Sequence, residues 1–208
     1  MRLLIVGATG SVGRHLVDQG LNQGHEVVAL TRDRSASGLQ PHPDLEIVEG
    51  DPTVGKDLEV AVAGVDAVIV AIGGGLTGTP RSQATQNVIE AMSETGTKRL
   101  ICQTTLGVGD SRGNLNFKWK YIMFGGVLRL VYQDHVRQED VVRASQTSWT
   151  IVRPSAFTDG PLTGAYHQGF GPDETQLKLE ISRADVAHFV LAQLETDEFV
   201  GRACAISN

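Results

Sequence analysis

The most constraining feature of this sequence is a glycine triplet. Gly7-Ala8-Thr9-Gly10-Ser11-Val12-Gly13 stands directly behind the apolar run Leu3-Leu4-Ile5-Val6. An unbroken apolar run that stops at glycine fits a parallel strand buried on both faces. Val12, Leu16 and Leu21 follow within a helical segment from Ser11 to Gln23, and Gly24 closes it. Strand, tight turn and helix in that order leave few folds open. Gly7 makes the turn, Gly10 lets a pyrophosphate approach the backbone, and Gly13 lets helix and strand pack closely. The free N–H groups at the helix start then face the phosphates. A dinucleotide site over Gly7, Thr9, Gly10, Ser11, Val12 and Gly13 is expected.

The rest of the chain keeps the rhythm. Further strands are expected at Glu26 to Leu30, Leu45 to Val48, Ala67 to Ala71, Leu100 to Cys102, Thr150 to Val152 and Ala203 to Ile206. Helices are expected at Lys56 to Ala63, Pro80 to Glu94, Val127 to Ala144 and Arg183 to Leu194. Alternating strands and helices require right-handed crossovers and a parallel sheet covered on both faces. The expected fold class is therefore α/β: one Rossmann-like, doubly wound domain over residues 1–208, with strand order 3-2-1-4-5-6. Two long stretches, 106–126 and 155–180, break the alternation and belong above the carboxyl ends of the strands, where ligands bind.

Composition narrows the function. A net charge of −6 argues against nucleic acid or an anionic membrane as the main partner, so any basic residues that matter act locally. No apolar run reaches the ~18 residues of a membrane span, and the start does not read as a signal peptide. Two cysteines, Cys102 and Cys204, fit a reducing, cytoplasmic setting and buried positions. The six histidines lack metal-ligand spacing, and the P-loop and esterase-elbow motifs are missing. No metal is expected.

Strand ends supply the next candidates. The second strand runs into Thr31-Arg32-Asp33-Arg34. A carboxylate here serves a ribose hydroxyl, whereas a guanidinium suits a 2′-phosphate. Arg32 comes first, which favours NADP(H); the competing reading is a pair of solvated loop arginines. Asp51, ahead of Pro52, is placed to accept from an adenine amino group. Ala71, Ile72 and the glycines Gly73-Gly74-Gly75 allow backbone approach near the nicotinamide ribose. Each of these also reads as an ordinary strand-ending turn.

Together these motifs, with Trp149-Thr-Ile-Val-Arg-Pro154, resemble the atypical short-chain dehydrogenase/reductase superfamily. Within it the chain resembles the small NAD(P)H-binding group of biliverdin reductase B, the NADPH-dependent flavin reductases and the NmrA-like proteins. Asp134-His135-Val136-Arg137, Asp159 to Tyr166, Ala187-His188-Phe189 and Thr196-Asp197-Glu198 extend the resemblance along essentially the whole chain. It implies that Pro154, Ser155, Ala156 and Phe157 border the cofactor, and that Thr104, beside Thr105, stands where the group has a catalytic serine. Two departures matter. Tyr121, Tyr132 and Tyr166 are followed four positions on by Gly125, Val136 and Phe170, so the superfamily's Tyr-x-x-x-Lys pair is missing. The group's active-site histidine falls on Ala156, which removes that proton donor.

On the acceptor side, Trp119, Tyr132, His135 and Tyr166 are the candidates. Leu128, Val131, His135 and Val142 share one face of the long helix, so His135 points inward, either as a satisfied core histidine or as a proton relay. Phe117 to Phe124 reads as an apolar wall for a planar ring, a dimer surface or core. Thr104 either holds the carboxamide or polarises the acceptor; it can also simply cap its own strand. The expected function is NADPH-dependent hydride transfer to a small planar acceptor, a free flavin or a quinone, by a monomer or small homo-oligomer. The alternative is an NADP(H)-binding redox sensor that signals through a partner without catalysis.

Overall fold

Along strand β1 (Arg2–Val6), Leu3 and Ile5 enter one hydrophobic core and Leu4 and Val6 another, and all four are fully buried. Side chains alternate across a strand, so a run without polar residues needs cover on both faces. The computed structural model, which describes residues 1–73 and 80–208, supplies that cover. On the Leu3 side lie α1 (Gly13–Asn22) and α5 (Arg183–Ala192), contributing Leu16, Val17, Val186 and Phe189. On the Leu4 side lie α2 (Gly55–Val62), α3 (Arg81–Thr95) and α4 (Arg129–Ala144), contributing Leu58, Val88, Met92 and Val142.

The strands between them are β2 (Glu26–Thr31), β3 (Leu45–Glu49), β4 (Ala67–Val70), β5 (Arg99–Gln103), β6 (Ser148–Pro154) and β10 (Arg202–Ser207). The sheet order is β3-β2-β1-β4-β5-β6-β10-β8, parallel throughout except where β8 (His167–Gln168) pairs antiparallel with β10. The expected order 3-2-1-4-5-6 stands, extended past β6 by the C-terminal strand. β1 lies between β2 and β4, so connections leave it in opposite directions and a crevice opens above its carboxyl end.

Four sequence expectations are corrected. α1 begins at Gly13, two residues after Ser11, which remains in the turn. Stretch 106–126 carries helical structure: a 3-10 helix at Gly109–Asn114 and a π-helix at Lys118–Val127. Trp119 and Phe124 are five residues apart, and the wide i→i+5 turn brings both rings into a third apolar cluster with Leu106, Leu115 and Leu179. Leu128 leaves helical geometry (φ −104°, ψ 17°), so α4 starts at Arg129 rather than Val127. In stretch 155–180, β7 (Ala156–Thr158) pairs in parallel with β9 (Glu180–Ser182), tying the loop down beside the crevice.

Candidate active site

Two glycines of the triplet are required by the packing itself. Gly7 sits at φ +97°, and a Cβ there would lie 2.5 Å from the Ala71 carbonyl oxygen. A Cβ on Gly13 would lie 1.9 Å from the Gly7 carbonyl oxygen. Gly10 is different: a Cβ there would stand 3.0 Å from the Gly7 oxygen, a tight contact within its own turn. Above this turn runs a trough of about 260 Å³ bordered by Thr9, Gly10, Thr31, Arg32, Pro52 and Gly73. Val12 is not in its wall, because its side chain is buried in the core beneath.

Charge at the trough is settled by turn chemistry. Asp33 Oδ1 accepts from the Ser35 amide (2.8 Å), the Ser35 hydroxyl (2.6 Å) and the Ala36 amide (3.1 Å). The Ser35 hydroxyl and Ala36 amide hold its carboxyl below the usual range. That carboxylate is occupied in closing its own turn, and Arg32 is the charged residue of the Arg32–Arg34 run that borders the trough. Asp51 is likewise drawn aside: its Oδ1 accepts from the Thr53 amide and hydroxyl at 2.8 and 2.7 Å, and it does not line the trough.

At Ile72 and Gly73 the trough meets a second cavity, of about 350 Å³. Its floor is Gln103, Thr104 and Thr105 at the end of β5, with Pro154 to Phe157 at the end of β6. Leu115, Trp119, Phe124, Leu128 and Val131 form an apolar wall. Of the aromatic run, only Trp119 and Phe124 reach the cavity; Phe117 and Tyr121 turn out to solvent. Gly74 and Gly75 lie outside the described residues.

Thr104 is fixed from behind. Its hydroxyl donates to Glu139 Oε1 at 2.9 Å, and Glu139 receives Arg153 Nε (2.8 Å) and Nη2 (2.7 Å). Both members of that ion pair are 2% exposed. Burial alone would lower the Arg153 pKa, but the bonds to Glu139 and Asp110 outweigh it and raise it. A paired, ionised Glu139 can only accept, so the single Thr104 proton is committed and its lone pairs are left for the cavity. Among the described residues, the Thr105 hydroxyl makes one long contact, 3.4 Å, to the Leu106 carbonyl.

His135 is both satisfied and at the cavity wall. Gln138 Nε2 donates to Thr85 Oγ1 (3.0 Å) and Cys102 Sγ (3.3 Å), which turns Gln138 Oε1 toward His135 Nδ1 at 3.1 Å. That contact assigns the proton to Nδ1. Burial, followed by the charge of Arg81, pushes the His135 pKa down to about 4, so the ring is neutral at pH 7.

Arg81 is a cavity residue that sequence reasoning missed. It opens α3, is 8% exposed, donates from Nε to the Ile72 carbonyl (3.2 Å), and borders the cavity where it joins the trough. Asp134 lies 3.6 Å from its Nη1 and also accepts its backbone N–H at 2.8 Å. The only sequence signal was an arginine directly after a glycine-rich strand end and Pro80. Arg183, at the far wall, was missed too; its Nη1 pairs with Asp159.

Two acceptor-side candidates do not line the cavity. Tyr132 donates to the Gly107 carbonyl (3.1 Å) and packs its ring on Phe124, one layer back. Tyr166 pairs with His188 Nδ1 at 2.9 Å and packs edge-on to Phe189. Asp185 draws that segment onto α5 by accepting from the Thr163 and Gly164 amides and the Thr163 hydroxyl. Burial pushes the Tyr166 phenol up to about 12.

Among the described residues, three buried polar atoms of cavity-lining side chains have no hydrogen-bond partner: Gln103 Oε1, Ser155 Oγ and Arg183 Nε. Buried polar atoms are rarely left so, and these belong to side chains that surround a space the size of a ring system. With the glycine cradle beside them, the residues fit a dinucleotide laid from Arg32 past Ile72 to Thr104.

Residues 7–197 match the family described as NAD(P)H-binding. The chain belongs to that family. An uncharacterized chloroplastic protein of Arabidopsis thaliana is 32% identical over 97% of this chain and 77% of its own. A short-chain dehydrogenase/reductase of Veillonella parvula in complex with NADP superposes with a TM-score of 0.84 at 19% identity, covering 100% of this chain and 94% of the other. ChuY, an anaerobillin reductase of Escherichia coli O157:H7, does so with a TM-score of 0.82 at 22% identity, covering 100% and 97%. These two likenesses bear on the fold alone, a Rossmann-like and mostly parallel sheet with helices on both faces. No helix among the described residues is long and apolar enough to cross a membrane, and no cluster of three or more His, Cys, Asp or Glu side chains among them could hold a metal ion.

Proposed function

We infer that this member of the NAD(P)H-binding family is an NADPH-dependent reductase of a small planar acceptor, a free flavin or a quinone, acting in the cytoplasm. One observation carries the reading: the glycine-lined trough and the apolar cavity meet at Ile72–Gly73, so a single extended ligand runs from one to the other. NADPH, when bound, supplies the hydride. Arg32 meets the 2′-phosphate, and the backbone from Gly7 to Gly13 takes the pyrophosphate. Thr104 accepts a hydrogen bond from the carboxamide, because its own proton belongs to Glu139. It orients the ring and does not polarise the acceptor.

Trp119, Phe124 and Leu128 would offer a planar acceptor an apolar wall beside the bound cofactor and would exclude water. Among the described residues the cavity offers no strong acid: Ala156 has no acidic group, and neutral His135 holds its Nδ1 proton on Gln138. Hydride transfer to a flavin or quinone gives the reduced acceptor once one proton arrives from solvent, so no protein acid is needed. The fold likeness to an anaerobillin reductase supports reductase chemistry.

The test is NADPH oxidation by the purified protein with FMN or a soluble quinone added in excess. Turnover with either supports the reading. Tight NADPH binding with no turnover of flavins or quinones transfers it to a redox sensor.

A further inference from the structure

Residues 111–133 contain four basic side chains, Arg112, Lys118, Lys120 and Arg129, and no acidic one, in a chain whose net charge is −6. The structure gives this segment two apolar faces. Inward, Trp119, Phe124, Leu128 and Val131 line the acceptor cavity. Outward, Phe117, Tyr121, Ile122, Val127 and Leu130 are between 53% and 77% exposed. Five of the ten exposed large apolar side chains among the described residues thus fall within residues 117–130. Scattered exposed apolar residues need no explanation, but a cluster marks an interaction surface.

We propose that this outward face docks the protein on an anionic lipid bilayer. Phe117, Tyr121, Ile122, Val127 and Leu130 enter the headgroup boundary, and Lys118, Lys120 and Arg129 meet the lipid phosphates. Exposed aromatic and aliphatic side chains interleaved with lysine and arginine are the composition of an interfacial segment. None of these three cations forms an ion pair among the described residues. Charge also argues against a second copy as the occupant. A two-fold contact would set the same basic surface against itself, and like charges across an interface oppose association. The chain-wide negative charge, which speaks against an anionic membrane, is reversed along this one segment.

The π-helix is only one layer thick here, with the bilayer face and the cavity wall on opposite sides of it. Resting on the reductase reading, docking therefore sets the cavity beside a lipid-dissolved quinone. Two electrons pass as the hydride from NADPH, one proton comes from water, and the quinone leaves as its hydroquinone.

The experiment is sedimentation of the full chain with vesicles of phosphatidylcholine alone or with about 30% phosphatidylglycerol, at low and high salt. Binding is expected only to the anionic vesicles, weakening with salt. The variants are Phe117→Ser/Ile122→Ser/Leu130→Ser and, separately, Lys118→Glu/Arg129→Glu. Each should weaken binding about tenfold or more, while reduction of soluble FMN is retained because none of these residues lines the cavity. No sedimentation with anionic vesicles overturns the proposal. So does a dimer in gel filtration that the triple serine variant dissolves. Vesicle binding without reduction of either FMN or a soluble quinone leaves docking standing and removes the reductase reading instead.

Discussion

The Thr104 hydroxyl donates to Glu139, 35 positions later in the chain, at 2.9 Å, in a site closed to solvent. The direction of that bond fixes what Thr104 can do at the cavity: it can accept, and it cannot donate. Thr104→Ala should slow turnover by about tenfold, the worth of one neutral hydrogen bond at the cavity, and should cost roughly 1–3 kcal/mol in stability, because the buried Glu139 carboxylate loses a donor. Glu139→Gln should cost more stability. It leaves the buried Arg153 without its main counter-charge, at a cost of about 3–5 kcal/mol in stability. Thermal melts and steady-state rates on both variants separate the two effects; a Glu139→Gln protein as stable as the parent would show that the pair is dispensable.

Cofactor choice rests on Arg32, since Asp33 is spent on the Ser35–Ala36 turn. A guanidinium on a 2′-phosphate is a charge-assisted contact worth roughly 1.5–3 kcal/mol. Arg32→Glu should accordingly weaken NADPH binding about tenfold or more and leave NADH nearly unchanged. Calorimetric titration with both cofactors checks this. Equal losses for the two would mark Arg32 as structural.

The glycines of the first turn divide by what surrounds them. Gly13→Ala forces a methyl into the Gly7 carbonyl and should prevent normal folding or lower the melting temperature sharply. Gly10→Ala meets only a tight contact in its own turn, so the chain should fold while the phosphate approach is blocked. The expected result for Gly10→Ala is a near-parental melt without cofactor and a lost thermal shift on adding NADPH.

The sheet was legible because its signals are local. The apolar run Leu3 to Val6, the spacing of Gly7, Gly10 and Gly13, and the strand-ending turns each follow from a few neighbouring residues. The acceptor side was read less well because its contacts are distant in sequence. Nothing near Tyr166 shows that His188 and Asp185 will draw it onto α5. Nothing near Arg81 shows that Asp134 and the Ile72 carbonyl will hold it buried at the cavity. The π-helix escaped for another reason: its i, i+5 pair, Trp119 and Phe124, matches neither the helical nor the strand period.

The last prediction concerns acid. His135 is held neutral in the folded protein, its pKa pushed from 6.5 to about 4 by burial and then by Arg81. Once unfolded, the ring binds a proton below about pH 6.5. Between pH 6.5 and pH 4 the unfolded state therefore carries the extra proton, and stability falls as pH falls through that window. The loss attributable to His135 is on the order of 3 kcal/mol by pH 4, and it is absent above pH 7. His135→Gln keeps a donor for Gln138 but cannot titrate. Its melting temperature should thus fall less than the parent's between pH 7 and pH 5. Activity should show no bell over the same range, because neutral His135 is not the proton source. Parallel melts for parent and variant at pH 7, 6 and 5, together with NADPH oxidation rates, test both statements. Identical pH dependence of the two melts would mean that His135 titrates in the folded state much as it does in water.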